Sequence, residues 1–328
     1  MVTLDDIAKK VGISKSTVSK ALNHASDISE DTRKKILAAA AELGYTTRSR
    51  KNQKRIAVFI TNMSYETPNQ FGYDIIQGFK EMALKEDWLV TVSPITMEFQ
   101  KITPYGVYMI EHGYAAGFFL GLTLMDPWML EFPSTLVPTV LYDNEVKDNP
   151  LVASVSYDNE EAFLLSVGYL KKLGHKKIGL LSGPLDSFII KKRYHAYLNA
   201  MEAHSLEVDD SYIGLGYYVG ESAQTYIPRF IKAGITAVLF SHDVRAIAAI
   251  DECRKHNIVV GKDMSFIGFD DLPLAEQTCP PLTTIRQDRI AIGKCSFYAV
   301  NCLINRIPIG SILLRPSLIL RESCCPPG

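Results

Sequence analysis

Three polar residues at the ends of apolar segments could hold a small polyhydroxyl molecule. Asp143 closes TVLYD, Asp270 closes SFIGFD, and Arg193 lies near the start of the helix predicted after KIGLLSGPL. Two carboxylates and one guanidinium supply acceptors and a fork of donors, which match the neighbouring hydroxyls of a sugar. A second interpretation stays open, in which each side chain forms a loop turn or a surface charge, since Arg193 follows Lys191 and Lys192.

The segments around these residues alternate between short β-branched strands and helices. Strands are predicted over 55–60, 89–94, 117–121, 139–143, 177–183, 237–241 and 264–271, and helices over 70–86, 159–173, 190–204, 221–233 and 243–256. Alternating βα units predict parallel sheets covered on both faces, and the number of units predicts two doubly wound lobes. Ligands of such sheets bind beyond the carboxyl ends of the strands, where Asp143 and Asp270 fall.

The first 45 residues have the periodicity of three short amphipathic helices. Thr3, Ser14 and Ser29 are predicted N-caps, because their side-chain oxygens can accept from the free N–H groups of a first helical turn. Gly12 ends the first helix and Gly44 the third. A helix, a short turn with glycine and a second helix form a helix-turn-helix, whose second helix enters the major groove of DNA. A generic three-helix bundle fits the same periodicity.

The exposed start of the second helix carries residues suited to DNA bases. Lys15 and Lys20 can donate to guanine, and Ser16 and Thr17 offer hydroxyls that donate or accept. A further set is better suited to phosphates: Ser14, Ser19 and Asn23.

The charge of the chain is unevenly distributed. Residues 1–55 contain twelve Lys and Arg against six Asp and Glu, although the whole chain has a formal net charge of −1. A basic head on an acidic body is typical of DNA contact at one end, and a charge-rich surface helix would give the same count.

Residues 3–45 resemble the DNA-binding head of the LacI family of repressors. The shared positions are Thr3–Leu4, Ile7–Ala8, Gly12, Ser14, Thr17–Val18–Ser19, Leu22–Asn23, Ser29, Thr32–Arg33 and Leu43–Gly44–Tyr45. VPTVLYDN, GYLKKLGHKKIGLLSGPL, SHD at 241–243 and MSFIGFDDLPLAEQTCPPLTTIRQD are similar to the periplasmic-binding-protein-like core of that family. The resemblance implies an all-α three-helix helix-turn-helix head, followed by an α/β core of two doubly wound parallel-sheet lobes.

The resemblance also implies roles for individual residues. Lys15, Ser16 and Lys20 take the base-reading positions. Backbone contacts fall to Thr3, Ser14, Ser19, Asn23, Ser29 and Thr32, and Leu4 and Thr17 complete the set expected to contact DNA. The residues expected to contact a small-molecule effector are Asp143, Arg193, Tyr217, Asp270 and Gln287. His242 stands where many relatives carry Asn, and Phe71 and Tyr73 are further candidates for which core packing is equally open.

The linker departs from the family pattern. Ten residues, TTRSRKNQKR, separate Tyr45 from Ile56, and none is leucine. Most family members place a longer hinge helix there, whose leucine wedges into the minor groove and kinks the DNA. We expect a basic tether instead, in which Arg48 and Arg50 contact phosphates or a narrow minor groove. A plain solvated linker is the alternative.

The predicted organisation is a DNA-binding head at 1–45, a linker at 46–55 and an effector-binding core at 56–328. The N-lobe is expected over 56–156 and 288–312, and the C-lobe over 157–287 and 313–324. The expected function is a repressor of a catabolic operon that binds a palindromic DNA operator as a homodimer and responds to a sugar. Two alternatives stay open: a regulator with a nucleobase or phosphorylated effector, and an extracytoplasmic sugar-binding transport protein.

Composition and motifs argue against other classes. Apolar residues make up 47% and charged residues 22% of the chain, as in soluble globular proteins. No apolar segment is long enough for a membrane span, and MVTLDDIAKK lacks the features of a signal peptide, so we expect a cytoplasmic protein without a membrane partner. The six cysteines have no CxxC spacing, and the GxSxG, HExxH, P-loop and GxGxxG motifs are absent. We therefore expect no enzyme, no catalytic residue, no cofactor and no metal site.

Overall fold

A computed structural model describes residues 2–45 and 54–328 of the chain. The head consists of α1 (Leu4–Val11), α2 (Lys15–Leu22) and α3 (Glu30–Leu43). Thr3 forms a capping box with Asp6, in which each side chain accepts from the backbone N–H of the other residue. Ser14 and Ser29 cap α2 and α3, so all three predicted N-caps are confirmed.

Glycines end two of the head helices. Gly12 follows α1 with φ 74° and Gly44 follows α3 with φ 71°, both in the left-handed region that disfavours a Cβ atom. The sharp stop at Gly12 lets α2 turn back against α1. Ile7, Val18 and Ile36, one from each helix, are completely buried where the three helices meet.

The larger part of the chain forms two sheets. The strands of the first are β1 (Lys54–Ile60), β2 (Trp88–Pro94), β3 (Ala116–Leu120), β4 (Thr139–Tyr142), β5 (Val152–Tyr157) and β11 (Ser311–Leu314). Those of the second are β6 (Ile178–Ser182), β7 (Ile213–Leu215), β8 (Ala237–Phe240), β9 (Ser265–Asp270), β10 (Thr283–Arg286) and β12 (Ser317–Ile319).

The strand order of both sheets requires crossover connections. Within residues 54–328 the order is β11-β5-β4-β3-β1-β2 in the first sheet and β12-β10-β9-β8-β6-β7 in the second. Strands β1 to β5 pair in parallel, as do β6 to β10, whereas β12 joins β10 antiparallel. Parallel neighbours need a crossover, which helices supply.

The helices of the core are α4 (Phe71–Lys85), α5 (Met97–Ile102), α6 (Tyr105–Glu111), α7 (Asn159–Leu173), α8 (Phe188–Ala203), α9 (Val219–Ala233), α10 (Asp243–Lys255), α11 (Pro273–Gln277) and α12 (Arg289–Ile304). The helical head and the two mostly parallel sheets confirm the predicted fold class. In the part of the chain that the structure describes, no helix is long and apolar enough to cross a membrane.

The chain divides into two compact units. The first contains the described residues of Met1–Met63 with Asp74–Ser156 and Ile290–Ile312, and therefore includes the head. The second contains Ser64–Tyr73, Tyr157–Arg289 and Leu313–Gly328. Ser64–Tyr73, which the predicted lobe ranges assign to the N-lobe, thus belongs to the second unit. The domain limits themselves stay predictions.

Candidate functional site

Several predicted effector residues meet at one edge of the second sheet. His242 follows β8, Asp270 is the last residue of β9, and Gln287 follows β10. Because β8, β9 and β10 are parallel neighbours, their carboxyl ends lie at the same edge. In the register of β9 and β10, Asp270 is paired with Arg286, which brings Gln287 beside it.

Asp270 is the centre of this group. Its Oδ1 accepts a hydrogen bond of 2.8 Å from Nε2 of Gln287, and its Oδ2 lies 3.2 Å from Nδ1 of His242. The carboxylate is nearly buried, at 6% exposure. Its backbone has φ 118°, a conformation that is strained for any residue with a Cβ atom and that concentrates at functional sites.

Arg193 completes the group from α8. Its Nε donates to Oδ1 of Asn159 at 3.2 Å, and its Nη1 donates to the carbonyl oxygen of Ser241 at 2.5 Å. Nη1 also lies 3.1 Å from Nδ1 of His242 and 3.9 Å from Oδ1 of Asp270. The guanidinium is 2% exposed and stacks 3.8 Å above the ring of Phe269.

The effect of these contacts is to fix the guanidinium in one orientation, as the bidentate geometry of Arg permits and that of Lys does not. We call Arg193, His242, Asp270 and Gln287 the Arg193 cluster.

Two buried hydroxyls near the Arg193 cluster have unused hydrogen-bonding capacity. Ser182 ends β6, and Ser241 directly follows the neighbouring strand β8. Both are completely buried, and within the described residues neither Oγ atom has a hydrogen-bond partner. Unsatisfied buried polar atoms are uncommon and call for an explanation, of which an absent water or ligand is one.

Asp243, which sequence reasoning missed, is a buried residue directly after His242 of the Arg193 cluster. Its carboxylate accepts from the backbone N–H of Leu272 at 2.8 Å and from Oγ1 of Thr284 at 2.6 Å, and so ties the chain after β9 to β10. Burial, followed by the charge of Asp270, raises the pKa of Asp243 well above its usual value. The SHD segment at 241–243 carries the only sequence signal for Asp243, since it is one of the stretches that are similar to the family.

Asp143 lies in the first unit. It follows β4 with φ 54°, and its Oδ1 accepts a hydrogen bond of 2.5 Å from Oγ of Ser156. Asp143 is therefore a second aspartate at a strand end whose backbone has a positive φ, as at Asp270, and such backbone conformations are uncommon for residues other than glycine. Its role in effector binding stays a prediction.

Tyr217 is exposed and its position is set by a buried arginine that sequence reasoning did not identify. The Tyr217 side chain is 69% exposed, and its hydroxyl donates to Oδ2 of Asp186 at 2.8 Å. Arg245 is 6% exposed and donates to the carbonyl oxygens of Gly216 and Tyr217, at 2.8 and 3.3 Å. Burial lowers the pKa of this guanidinium, which the carbonyl dipoles stabilise.

The two remaining effector candidates, Phe71 and Tyr73, occupy the first turn of α4 and are both partly buried. Both belong to the segment that joins the second unit. Their contact with an effector stays a prediction.

The predicted reading face of the head is exposed. Lys15 and Lys20 form ion pairs with Asp5 and Asp27 across the surface of the head, at 2.7 and 2.5 Å, and Ser16 lies between them on α2. Exposed pairs of this kind are weak, so phosphates and bases can replace the carboxylates.

The predicted phosphate-contacting residues already form hydrogen bonds within the head. The hydroxyls of Thr3, Ser14 and Ser29 accept from backbone N–H groups, Thr32 bonds to Ser29, and Asn23 donates to Ser19. Leu4 is partly buried against the head core, and Thr17 bonds to Ser14. Contact of these residues with DNA stays a prediction. Arg48 and Arg50 lie outside the described residues, so their contact with DNA stays a prediction. The expected absence of a leucine wedge stays a prediction for the same reason.

Comparison with known proteins places these features in a family. Residues 3–48 match the family described as bacterial regulatory proteins, lacI family, and residues 167–324 match the periplasmic binding protein-like domain. The chain belongs to the LacI family. It is therefore a DNA-binding transcriptional regulator with a sensor domain, as its sequence predicted.

Individual LacI-family proteins match over nearly the whole chain. The HTH-type transcriptional repressor CytR of Escherichia coli (strain K12) is 29% identical over 334 residues, which cover 98% of this chain and 96% of the relative. The lactose operon repressor of the same strain is 29% identical over 341 residues, covering 100% and 92%. A solved structure of the lac repressor dimer bound to operator and the anti-inducer ONPF superposes with a TM-score of 0.70 at 26% identity, covering 99% of both chains.

Proposed function

We propose that this LacI-family protein is a repressor of a catabolic operon, that it binds a palindromic operator as a homodimer, and that a sugar bound at the Arg193 cluster controls its hold on DNA. The observation that carries the sugar assignment is the cluster itself. It offers a fixed guanidinium, a carboxylate, an imidazole and an amide within a few ångströms of one another. Such alternating donors and acceptors suit neighbouring hydroxyls.

The cluster is less suited to the other effector classes. The Asp270 carboxylate would repel a phosphate, and two of the five N–H donors of Arg193 are already engaged by Asn159 and Ser241. The face of Phe269 that a nucleobase could stack on is covered by the Arg193 guanidinium. The hydroxyls of Ser182 and Ser241 add hydrogen-bonding capacity of the kind that a polyol uses.

Dimer formation is supported by a surface groove of mixed polar and apolar lining in the second unit and by the dimeric state of the matching lac repressor structure. The groove encloses about 360 Å³ and includes Ile247, Ile250 and Leu274 among its lining residues. Leu274 is 47% exposed, and Val244 on the same helix as Ile247 is 41% exposed. Exposed apolar residues beside a groove are typical of protein interfaces, and two copies would supply two heads for the two halves of a palindrome.

The mechanism that follows is a shift between populations. A ligand that binds one arrangement of the dimer more tightly than another changes the fraction whose two heads match the operator spacing. Lys15, Ser16 and Lys20 then determine which bases are read.

Two experiments test the proposal. In the first, the purified full chain selects fragments from sheared bacterial DNA, and the enriched fragments are sequenced. We expect a palindromic consensus that a Lys15→Ala/Lys20→Ala variant fails to enrich. Equal enrichment by the variant would contradict the DNA-reading assignment.

In the second, thermal midpoints are measured against panels of mono- and disaccharides, nucleosides and sugar phosphates. A ligand specific for the native state raises the midpoint in proportion to its occupancy. We expect shifts from the first panel. A shift from nucleosides or sugar phosphates alone would overturn the sugar assignment and leave the regulator assignment intact.

A further inference from the structure

Helix α6 of the first unit has two apolar faces that pack in different directions. Tyr105 and Met109 are almost completely buried in the aromatic core beneath the first sheet, where they pack with Trp128 and Phe132. Ile110 is 7% exposed, yet it belongs to the core of the head and not to the aromatic core.

Val107 packs against that same head core, one helical turn before Ile110. A seven-residue helix thus contributes both to the core of its own sheet and to the core of the DNA-binding head.

Small residues allow α3 of the head to approach α6 closely. A Cβ atom at Gly106 would lie 3.2 Å from the Cβ atom of Ala41, and one at Gly44 would lie 2.9 Å from Cδ1 of Leu136. A ring nitrogen of His24 lies 3.3 Å from the carbonyl oxygen of Glu111, at the carboxyl end of α6. Apolar packing, close backbone approach and a polar contact therefore coincide on one surface.

This contact leaves the reading face of the head uncovered. Lys15, Ser16 and Lys20 are exposed while α3 rests on α6. The contact is carried mainly by α3, with His24 beside it, whereas the base-reading residues lie on α2, so occupancy of one surface does not block the other.

We propose that the face of α6 formed by Gly106, Val107 and Ile110, together with Leu136, is a docking surface for the head of the same chain, and that the docked head is the form that binds DNA. Helix α2, which carries the base-reading residues, then moves with the first unit. In a chain whose linker sequence lacks a leucine for a minor-groove wedge, this surface takes over the orientation of the head. The proposal rests on the regulator function but not on the identity of the effector.

A disulfide tests both halves of the proposal. The variant Ala41→Cys/Gly106→Cys places two Cβ atoms 3.2 Å apart, so a small outward shift brings them into the range of about 3.5–4.5 Å found in natural disulfides. The chain also has six native cysteines, so peptide mapping after mild oxidation is used to distinguish the 41–106 disulfide from any disulfide that involves them. Lys35→Cys/Gly106→Cys is the control, because Lys35 is an exposed residue on the same helix.

We expect an intrachain 41–106 bond without DNA, little bonding in the control, and a cross-linked protein that binds its selected DNA fragment within about threefold of the reduced form. Absence of the bond, or a bond between two chains, would overturn the docking surface. Loss of DNA binding on oxidation, restored by reduction, would overturn the claim that the docked head is the active form. The formation of the bond needs no DNA, so its failure is distinguishable from failure of the proposed function.

A substitution supplies an independent readout. Val107→Glu places a charge in the contact without touching the reading face, and Leu130→Glu is a matched control, because Leu130 is an 82% exposed leucine of the same unit. A head that is held only by its linker has a lower effective concentration at its DNA half-site and a less fixed orientation than a docked head. We expect about tenfold weaker DNA binding for Val107→Glu with an unchanged dependence on salt, since the phosphate contacts are intact. Wild-type affinity in Val107→Glu, with a folded protein by circular dichroism, would contradict the proposal.

Discussion

Nδ1 of His242 lies 3.2 Å from Oδ2 of Asp270, and the same nitrogen lies 3.1 Å from Nη1 of Arg193. One ring nitrogen cannot donate to the carboxylate and accept from the guanidinium at the same time. An asparagine would meet both demands, with its oxygen facing Arg193 and its amide nitrogen facing Asp270. We expect His242→Asn to raise the free energy of unfolding by about 1 kcal/mol, the usual gain from one hydrogen bond.

The measurement is chemical denaturation of the second unit in the full chain, with His242→Leu as the control. Leucine removes both polar contacts and leaves Arg193 and Asp270 with one partner fewer each. We expect that variant to be less stable than the wild type. If His242→Asn were as destabilising as His242→Leu, the competition at Nδ1 would be refuted.

Gly268 is required by the carboxylate of Asp243. A Cβ atom at residue 268 would lie 2.2 Å from Oδ1 of Asp243 and 2.8 Å from Cδ2 of Leu282. Gly268→Ala must therefore displace a buried, hydrogen-bonded carboxylate. We expect a loss of about 2–4 kcal/mol in the free energy of unfolding, from overpacking and a weakened hydrogen bond together.

Gly220→Ala is the matched control for this substitution. Gly220 lies in α9, and a Cβ atom there would meet nothing within 4 Å. Alanine in an exposed helical position is favoured by up to about 1 kcal/mol over glycine. Equal losses in the two variants would show that Gly268 is not constrained by Asp243.

The pKa of Asp243 predicts how stability depends on pH. Burial and the charge of Asp270 raise this pKa in the folded state, so the contribution of Asp243 to stability is fully present below its unfolded value of 3.8 and is lost as the pH rises through the folded pKa. The amide introduced by Asp243→Asn does not titrate, and it can still accept from the backbone N–H of Leu272 and donate to Thr284. The stability difference between Asp243→Asn and the wild type should therefore grow in favour of the variant as the pH rises from about 4 to about 8, by about 1.4 kcal/mol for each pH unit by which the pKa is raised.

Denaturation curves at several pH values measure that difference. Thr284→Val serves as the control, because it removes the hydroxyl partner and keeps the carboxyl group. A pH-independent difference between Asp243→Asn and the wild type would mean that the carboxyl has an ordinary pKa in the folded protein.

Asp27 competes with DNA for Lys20. The hydrogen bond from Lys20 lowers the pKa of Asp27, so the carboxylate is charged and paired at neutral pH. Asp27→Asn frees the ammonium group of Lys20 and removes a negative charge from the surface that is expected to face the DNA phosphates. We expect about threefold to fivefold tighter DNA binding at low salt, in the range of an exposed ion pair. Glu42→Gln, which removes the partner of Lys10 instead, should change affinity much less. Weaker binding by Asp27→Asn in fluorescence anisotropy would contradict the reading face.

Much of the fold is evident from the sequence because its signals are local. The caps at Thr3, Ser14 and Ser29 and the stop at Gly12 depend on one or two neighbouring residues, and α7 begins and ends at the residues that periodicity predicts. The strands β5 and β10 escaped prediction because their burial comes from tertiary packing and their sequences, VASVSY and TTIR, contain no long apolar run.

Helix α12 was missed for a related reason. Its sequence RIAIGKCSFYAVNCLI is apolar around most of its circumference, so it lacks the polar stripe that marks a surface helix. The short helices α5 and α6 have fewer than two turns and give no periodicity to detect. The docking role of α6 could not be predicted at all, since it depends on contacts between residues far apart in the chain, such as Ala41 and Gly106.

The sequence predicts a site residue that follows a predicted strand, but not the buried residues that hold the surrounding backbone in place. Asp270 is predicted from its place at the end of a strand, whereas the resemblance to the LacI family was needed to single out His242 and Gln287. Asp243 and Arg245 were not predicted, because a buried aspartate and a buried arginine resemble ordinary helix residues until their partners are known. The unpaired hydroxyls of Ser182 and Ser241 likewise become visible only when every neighbour is in place.

The central claim is that a small molecule held by the Arg193 cluster controls DNA binding by the head. Its most direct test is the affinity of the selected DNA fragment, measured by fluorescence anisotropy with and without the ligand identified by thermal shift. Arg193→Lys keeps the charge but cannot bond to Asn159 and Ser241 together; Arg229→Lys, at an exposed site, is the control. We predict that the ligand changes the affinity at least about tenfold in the wild type and in Arg229→Lys. Arg193→Lys should bind the fragment without responding to the ligand. A full ligand response in Arg193→Lys would contradict the account.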